Sequence, residues 1–286
     1  MPSLIDFRRR IRSVKNTQQI TKAMKMVSAA KLRRAQERVI AARPYALQMR
    51  EMLANLAAAA VSDPRSASSP WLVRREPTRI DLLFFSSDTG LAGAFNSNLL
   101  KASQKFHKDN AGAEITLTLV GRKGRDFYRR RDGKILSEHI NVLGRPTYAD
   151  AASIASGAIN RYRDGETDAV YIINNDFKSV MSATLSVVQL LPVVLPAQET
   201  KDYIYEQSPI EMLESLMPRF VEVAVFRAML ETVAAYQAAR MTAMDTASSN
   251  AKDVIDALTL KMNRIRQAAI TKEIIEVVSG AAAAAE

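Results

Sequence analysis

Apolar residues recur at steps of three and four through Leu32, Ala35, Val39, Ala42, Ala46, Met49, Leu53 and Leu56. That is the spacing of one helix face and of a coiled-coil seam. Leu4, Phe7, Ile11 and Val14 obey the same rule, while the steps from Val14 to Ile20 and from Val27 to Leu32 shift phase in the manner of stutters. No glycine precedes Gly90, and Pro2 and Pro44 are the only prolines in the first sixty residues. Residues 1–60 are therefore predicted to form one long helix, bent at Pro44 where a backbone hydrogen bond is lost. The Ser- and Pro-rich run from Ser62 to Pro70 ends it in a polar linker spanning 61–78.

The other end repeats the signal. Steps of three and four from Leu213 lead through Leu216, Phe220, Val223, Arg227, Leu230, Ala234, Gln237, Met241, Met244, Ser248, Ala251, Ile255, Leu258, Met262 and Ile265 to Ala269. Fourteen of these seventeen positions are apolar, which excludes a chance pattern. Beyond Pro218 neither Pro nor Gly interrupts the stretch before Gly280, so residues 209–286 are predicted to be a second long helix. At 1.5 Å per residue, Pro209 to Ala284 would reach roughly 110 Å.

Between the two helices the period changes. Ile80–Phe85, Ile115–Val120, Ala169–Ile173 and Thr184–Leu195 are rich in β-branched and large apolar residues and are predicted strands. Asn96–Lys108, Gly124–Arg131 and Tyr148–Asp164 are predicted helices between them. The alternation implies an α/β domain over 79–195 with a largely parallel sheet, followed by a polar connection over 196–208. Both long helices leave this domain, so they pair most simply with each other, antiparallel. A first helix of about 57 residues cannot cover a second of about 75, which leaves about 27 Å unpaired. That tip, 267–286, is apolar or small at most positions. A lone apolar helix is unstable in water, so the tip needs a sleeve supplied by other chains.

Composition narrows the chemistry. Cysteine is absent, and His107 and His139 are the only histidines. Disulfides, thiol chemistry and thiolate metal sites are excluded, and a His-based zinc centre is not expected. No stretch approaches the ~20 apolar residues of a membrane-spanning helix, and the N-terminus lacks the apolar core of a secretory signal. It is Arg-rich like an organellar transit peptide, but its pattern runs directly into the long helix. The net charge is +10, and residues 1–50 carry thirteen Lys and Arg against Asp6 and Glu37. One arm thus holds essentially all of the excess and calls for an acidic partner: nucleic acid, an anionic membrane or an acidic protein surface. Arg8, Arg9, Arg10 and Arg12 are placed to neutralise phosphates, but only Phe7 and Tyr45 offer stacking groups there.

Candidate catalytic chemistry is sparse. The loop Ser86 to Asn96 follows a strand and opens a helix, where α/β folds bind phosphates. It lacks the Lys-Ser/Thr ending of a P-loop and the third glycine of a dinucleotide fingerprint, so a structural turn is the expectation. The same holds for Gly121 to Gly124. No nucleophile set, metal cluster or cofactor site stands out. The methionines 24, 26, 241, 244 and 262 lie at helical spacing as core residues do, whereas Thr271, Glu273 and Glu276 put polar groups on the bare tip.

The segment Arg12-Ser13-Val14-Lys15-Asn16-Thr17-Gln18-Gln19-Ile20-Thr21-Lys22-Ala23-Met24-Lys25-Met26-Val27, followed by Arg43-Pro44-Tyr45, resembles the N-terminal helix of the gamma subunits of F-type ATP synthases. Ile270-Thr271-Lys272-Glu273-Ile274-Ile275-Glu276-Val277-Val278-Ser279-Gly280-Ala281-Ala282 is similar to that family's C-terminal signature. Gln237 to Met244, Asn250 and Ser87 to Gly93 agree as well, so the likeness spans the chain in order.

The resemblance implies a mixed α+β/α/β fold, in which a long antiparallel coiled coil of the N- and C-terminal helices joins a central Rossmann-like α/β domain. It implies a non-catalytic rotor that couples proton flow through a membrane ring to ATP synthesis or hydrolysis on beta subunits. The implied partners are alpha, beta, delta and epsilon subunits and the membrane ring, without nucleic acid and without a cofactor. Met24 and Lys25 match the family's contact with an acidic loop of beta. Arg266, Gln267, Thr271 and Glu273 match positions that bond to the sleeve, and Arg240 falls in a matching contact region. Tyr203, Tyr205 and Glu206 match a segment facing the membrane ring and epsilon. Two departures stand out: Ala235-Tyr236 replaces a frequent Ser-Glu, and Lys25 replaces an acidic residue of some members. The Cys-bearing chloroplast insertion is absent. A bacterial source and a peripheral place on the cytoplasmic face of the inner membrane follow as expectations.

Overall fold

The computed structural model describes residues 3–60, 63, 65–66, 69–72, 75–131, 133–179, 183–193 and 205–284. Helix α1 runs Leu4–Ala60 and helix α5 runs Pro209–Ala284, both passing through a proline. Local chemistry sets their starts. Ser3 and Asp6 form a reciprocal box, the Ser3 N–H donating to Asp6 Oδ2 at 2.9 Å and the Asp6 N–H to Ser3 Oγ at 3.2 Å. Before α5, the Ser208 hydroxyl accepts the Glu211 N–H at 3.4 Å, and Pro209 occupies the first helical position, where its missing N–H costs nothing.

The chain divides into two compact units, Ala29–Arg240 and the pair Met1–Ser28 with Met241–Glu286. The larger, which we call the body, thus takes in about half of α1 and the first part of α5, besides the α/β segment. Its sheet contains β1 (Arg79–Phe85), β2 (Glu114–Val120), β3 (Lys134–His139), β4 (Ala169–Phe177) and β5 (Ala183–Leu191) in the order β3-β2-β1-β4-β5. The first four are parallel and β5 pairs antiparallel to β4. Helices α2 (Phe95–Asp109), α3 (Arg122–Tyr128) and α4 (Tyr148–Arg163) connect them. Leu83 and Phe85 on one face of β1 join a core with Leu53 and Leu56 of α1 and Val225 and Met229 of α5. On the other face, Phe84 meets Tyr128 edge-on at 5.9 Å. With both faces covered, β1 is an unbroken apolar run from Leu82 to Phe85, as buried parallel strands are.

Three expectations are corrected. Strand β3 was not among the predicted strands; four of the six residues of KILSEH are polar, as suits a strand at the sheet edge. The fourth predicted strand, Thr184–Leu195, begins one residue earlier and ends at Leu191; residues 194 and 195 lie outside the described ones. The linker is not wholly polar in role, since Trp71 is buried and stacks on Tyr162 at 5.9 Å.

In the smaller unit, Phe7 lies beneath Lys261, Thr21 bonds Ser248 at 2.7 Å and Lys25 pairs with Asp245 at 2.6 Å. As the α1 number rises the α5 number falls, so these stretches run antiparallel. All seventeen predicted seam positions of α5 are buried or half-buried. The stutters are not: Ile20 and Val27 are exposed, and the seam continues from Val14 through Gln18, Thr21, Lys25 and Ser28 to Leu32 without a phase shift. Polar side chains hide the repeat, and Thr21 and Gln18 justify their places by bonding Ser248.

Candidate partner-binding surface

In parallel α/β sheets, ligands bind beyond the carboxyl ends of the strands where the strand order reverses. Here that point lies between β1 and β4, and the loop after β1 is bonded to other parts of the protein. After β1, Ser87 Oγ donates to Thr89 O at 2.6 Å, and the Ser87 N–H donates to Asn96 Oδ1 at 3.1 Å. The Asp88 carboxylate accepts the N–H groups of Arg122 and Asn141 at 3.1 and 3.0 Å. Tyr236 of α5 reaches the same loop, its hydroxyl lying 2.5 Å from Thr89 Oγ1 and donating to Gly90 O at 3.2 Å. The expected structural turn is what these bonds make.

The Gly121–Gly124 turn has a similar explanation. Gly121 sits at φ +96°, and a Cβ on Gly124 would come within 2.8 Å of the Phe84 ring. These glycines permit close helix–strand approach. Among the described residues, no group of three or more His, Asp or Glu is placed to hold a metal.

The surface that lacks partners is the end of α5. From Ile270 to Ala281 every residue is exposed, including Ile274 at 58%, Val277 at 72% and Val278 at 62%. The polar groups there satisfy themselves locally: Thr271 Oγ1 donates to Gln267 O at 3.0 Å, and Lys272 pairs with Glu276 at 3.3 Å. Of the sequence-nominated residues, Arg266, Gln267, Thr271 and Glu273 all lie exposed on this last stretch. Met24 is half-buried, and the Lys25 ammonium is engaged by Asp245. Arg240 is half-buried in the body, donating to the Tyr236 hydroxyl at 3.3 Å, while its Nε is buried without a partner. Tyr205 packs against the body core, Glu206 is exposed, and Tyr203 lies outside the described residues.

Sequence reasoning did not single out the role of Tyr236. Its ring packs edge-on against Phe95 at 5.7 Å and it holds the loop after β1; the only signal was its departure from the family's Ser-Glu. Met26, expected in the core, is exposed, as are Ile20 and Val27, expected on the seam. Exposed Ile5 and Ile40 lie off the seam, so periodicity says nothing of them.

Comparison with known proteins gives a consistent result. A family model described as ATP synthase matches residues 3–284. The ATP synthase gamma chain of Solibacter usitatus is 57% identical over 285 residues, covering 99% of this chain and 100% of that one. That of Desulfitobacterium hafniense is 46% identical over 99% of both. Among solved structures, a chain of the Tetrahymena thermophila mitochondrial ATP synthase central stalk and c-ring superposes with a TM-score of 0.62 at 26% identity, over 80% of this chain and 99% of that one. A chain of the Euglena gracilis mitochondrial enzyme shares the fold, with a TM-score of 0.68 at 18% identity, over 98% and 94% of the two chains.

Proposed function

This chain belongs to the family of ATP synthase gamma chains, and from that premise we propose how its surface is used. The gamma chain is a non-catalytic central-stalk subunit, the rotor shaft that couples proton flow through the membrane ring to ATP synthesis or hydrolysis on the beta subunits. The exposed end of α5 turns inside the ring of alpha and beta subunits, contacting it through Arg266, Gln267, Thr271 and Glu273. Met24, Lys25 and Arg240 contribute further contacts, the Lys25 ammonium exchanging Asp245 for an acidic loop of beta or bridging the two. Tyr203, Tyr205 and Glu206 face the membrane ring and epsilon, and delta completes the assembly. The two paired helices form the shaft and the α/β segment its foot. The protein works at the cytoplasmic face of the bacterial inner membrane, held there by its partners; no described helix is long and apolar enough to cross a membrane.

The observation that supports this reading most is the bare apolar helix Ile270–Ala281. Enclosing Ile274, Val277 and Val278 contributes about 1.5–3 kcal/mol for each side chain fully covered, which only another chain can supply. A shaft without threefold symmetry meets three beta subunits through different side chains, so each is biased toward a different conformation by differential contact. The test is co-expression with alpha and beta subunits. Deleting Val277–Glu286 is expected to leave the melting of the body unchanged and to lower the yield or the coupling of the complex; equal loss of both would contradict the proposal.

A further inference from the structure

A shaft must be gripped by its foot, and most of the grip seen here is apolar. Leu53, Leu56, Val225 and Met229 of the helices meet Leu83 and Phe85 of the sheet through contacts that have no direction. Polar contacts add to it, among them Tyr236 on the β1 loop and Tyr148 on Glu222, and one of them is both charged and buried. Glu231 of α5 is 1% exposed, and both of its carboxylate oxygens are used. Oε2 accepts the backbone N–H of Phe177 at 2.8 Å. Oε1 lies 3.3 Å from Arg43 Nη2 of α1 and 3.6 Å from Arg227 Nε. The same Arg43 Nη2 donates to the carbonyl oxygen of Phe177 at 2.8 Å. Phe177 is the last residue of β4, so both polar groups of one strand-end peptide unit pair are held, one by each long helix.

We propose that Arg43 and Glu231, closed on the backbone of Phe177, are positioning residues that transmit torque between the α/β segment and the two helices. This rests on the rotor reading above. The physical reason is register. Advancing a helix by one residue moves a side chain 1.5 Å along the axis and 100° around it, so Glu231 loses Phe177 and Arg43 on the first step of any slip. Apolar contacts can be remade with neighbouring residues, but a buried carboxylate without its partners cannot be tolerated. The clamp therefore converts a greasy joint into one with a single allowed setting.

The test uses the whole ATP synthase in inverted membrane vesicles, with E231Q, R43M and the conservative R43K in the full chain. Glu231→Gln keeps the side-chain size and an acceptor for the Phe177 N–H, which guards against simple misfolding. ATP hydrolysis and ATP-driven proton uptake are measured on the same vesicles. In E231Q and R43M, hydrolysis is expected to stay within about two-fold of the unaltered enzyme while proton uptake per ATP falls about five-fold, with R43K intermediate because it keeps the charge and loses the fork. An unchanged ratio of uptake to hydrolysis, whether the complex is abundant or scarce, would overturn the clamp, since a residue needed only for folding lowers both together. Failure of the unaltered chain to support any proton uptake in vesicles lacking their own gamma chain would instead overturn the rotor reading itself.

Discussion

The body and the end of α5 are built on opposite terms. In the body, Asp81 is fully buried yet paired with Arg161 and bonded by Thr118, and the strand-end loops satisfy their own polar groups. In the stretch Ile270–Ala281 no residue is even half-buried, and five of the side chains are isoleucine or valine, at positions 270, 274, 275, 277 and 278. One region carries its stability within itself, and the other carries apolar surface that makes sense only when covered. The difference separates residues whose loss unfolds the protein from residues whose loss leaves it folded and useless.

The sharpest way to break the comparison is to attack the body. Arg161→Met strands the buried Asp81 carboxylate, whose pKa burial already raises despite the arginine. A loss of about 3–5 kcal/mol is expected in denaturant unfolding of the chain; a loss below about 1 kcal/mol would show the pair to be incidental.

Acid is a milder probe. The Arg79 guanidinium, aided by Thr78 and the Arg79 N–H, holds Asp168 down to about 2 from 3.8. A depressed folded-state pKa stabilises above the unfolded value and is lost as pH falls through the folded one. Stability is therefore expected to drop by about 1–2 kcal/mol between pH 4 and 2, and D168N is expected to remove that segment of the pH profile. An unchanged profile in the variant would contradict the assignment.

Tyr236→Phe removes the bonds to Thr89 and Gly90 and is expected to cost about 1 kcal/mol, with faster amide hydrogen exchange confined to residues 87–93. The smallest effect belongs to the tip. Serine at 274, 277 and 278 is expected to change stability of the isolated chain by less than about 0.5 kcal/mol, because exposed sites away from special features rarely do more. The same triple variant is expected to impair assembly with alpha and beta.

The long helices were legible because a three-four repeat sustained over seventeen positions has no competing explanation, and α5 takes in all seventeen. The parallel strands were legible because β1, covered on both faces, is apolar without a break from Leu82 to Phe85. Edge strand β3 was not, since four of its six residues are polar and read as a loop. The seam between Val14 and Leu32 was misread because Gln18, Thr21, Lys25 and Ser28 occupy it with polar atoms. For the surface, the chemistry of the tip was visible as unpartnered apolar sequence. The Arg43–Phe177–Glu231 clamp was invisible, because it joins three distant segments through a backbone unit that carries no sequence signal.

The most direct test of the central claim compares amide hydrogen exchange at residues 267–281 in the isolated chain and in its complex with alpha and beta subunits. The account predicts rapid exchange in the free chain and protection of at least about a hundred-fold in the complex, which corresponds to at least 2.7 kcal/mol at 25 °C. Equal exchange in the two states would mean that no sleeve covers the tip, and the rotor geometry argued from it would be wrong.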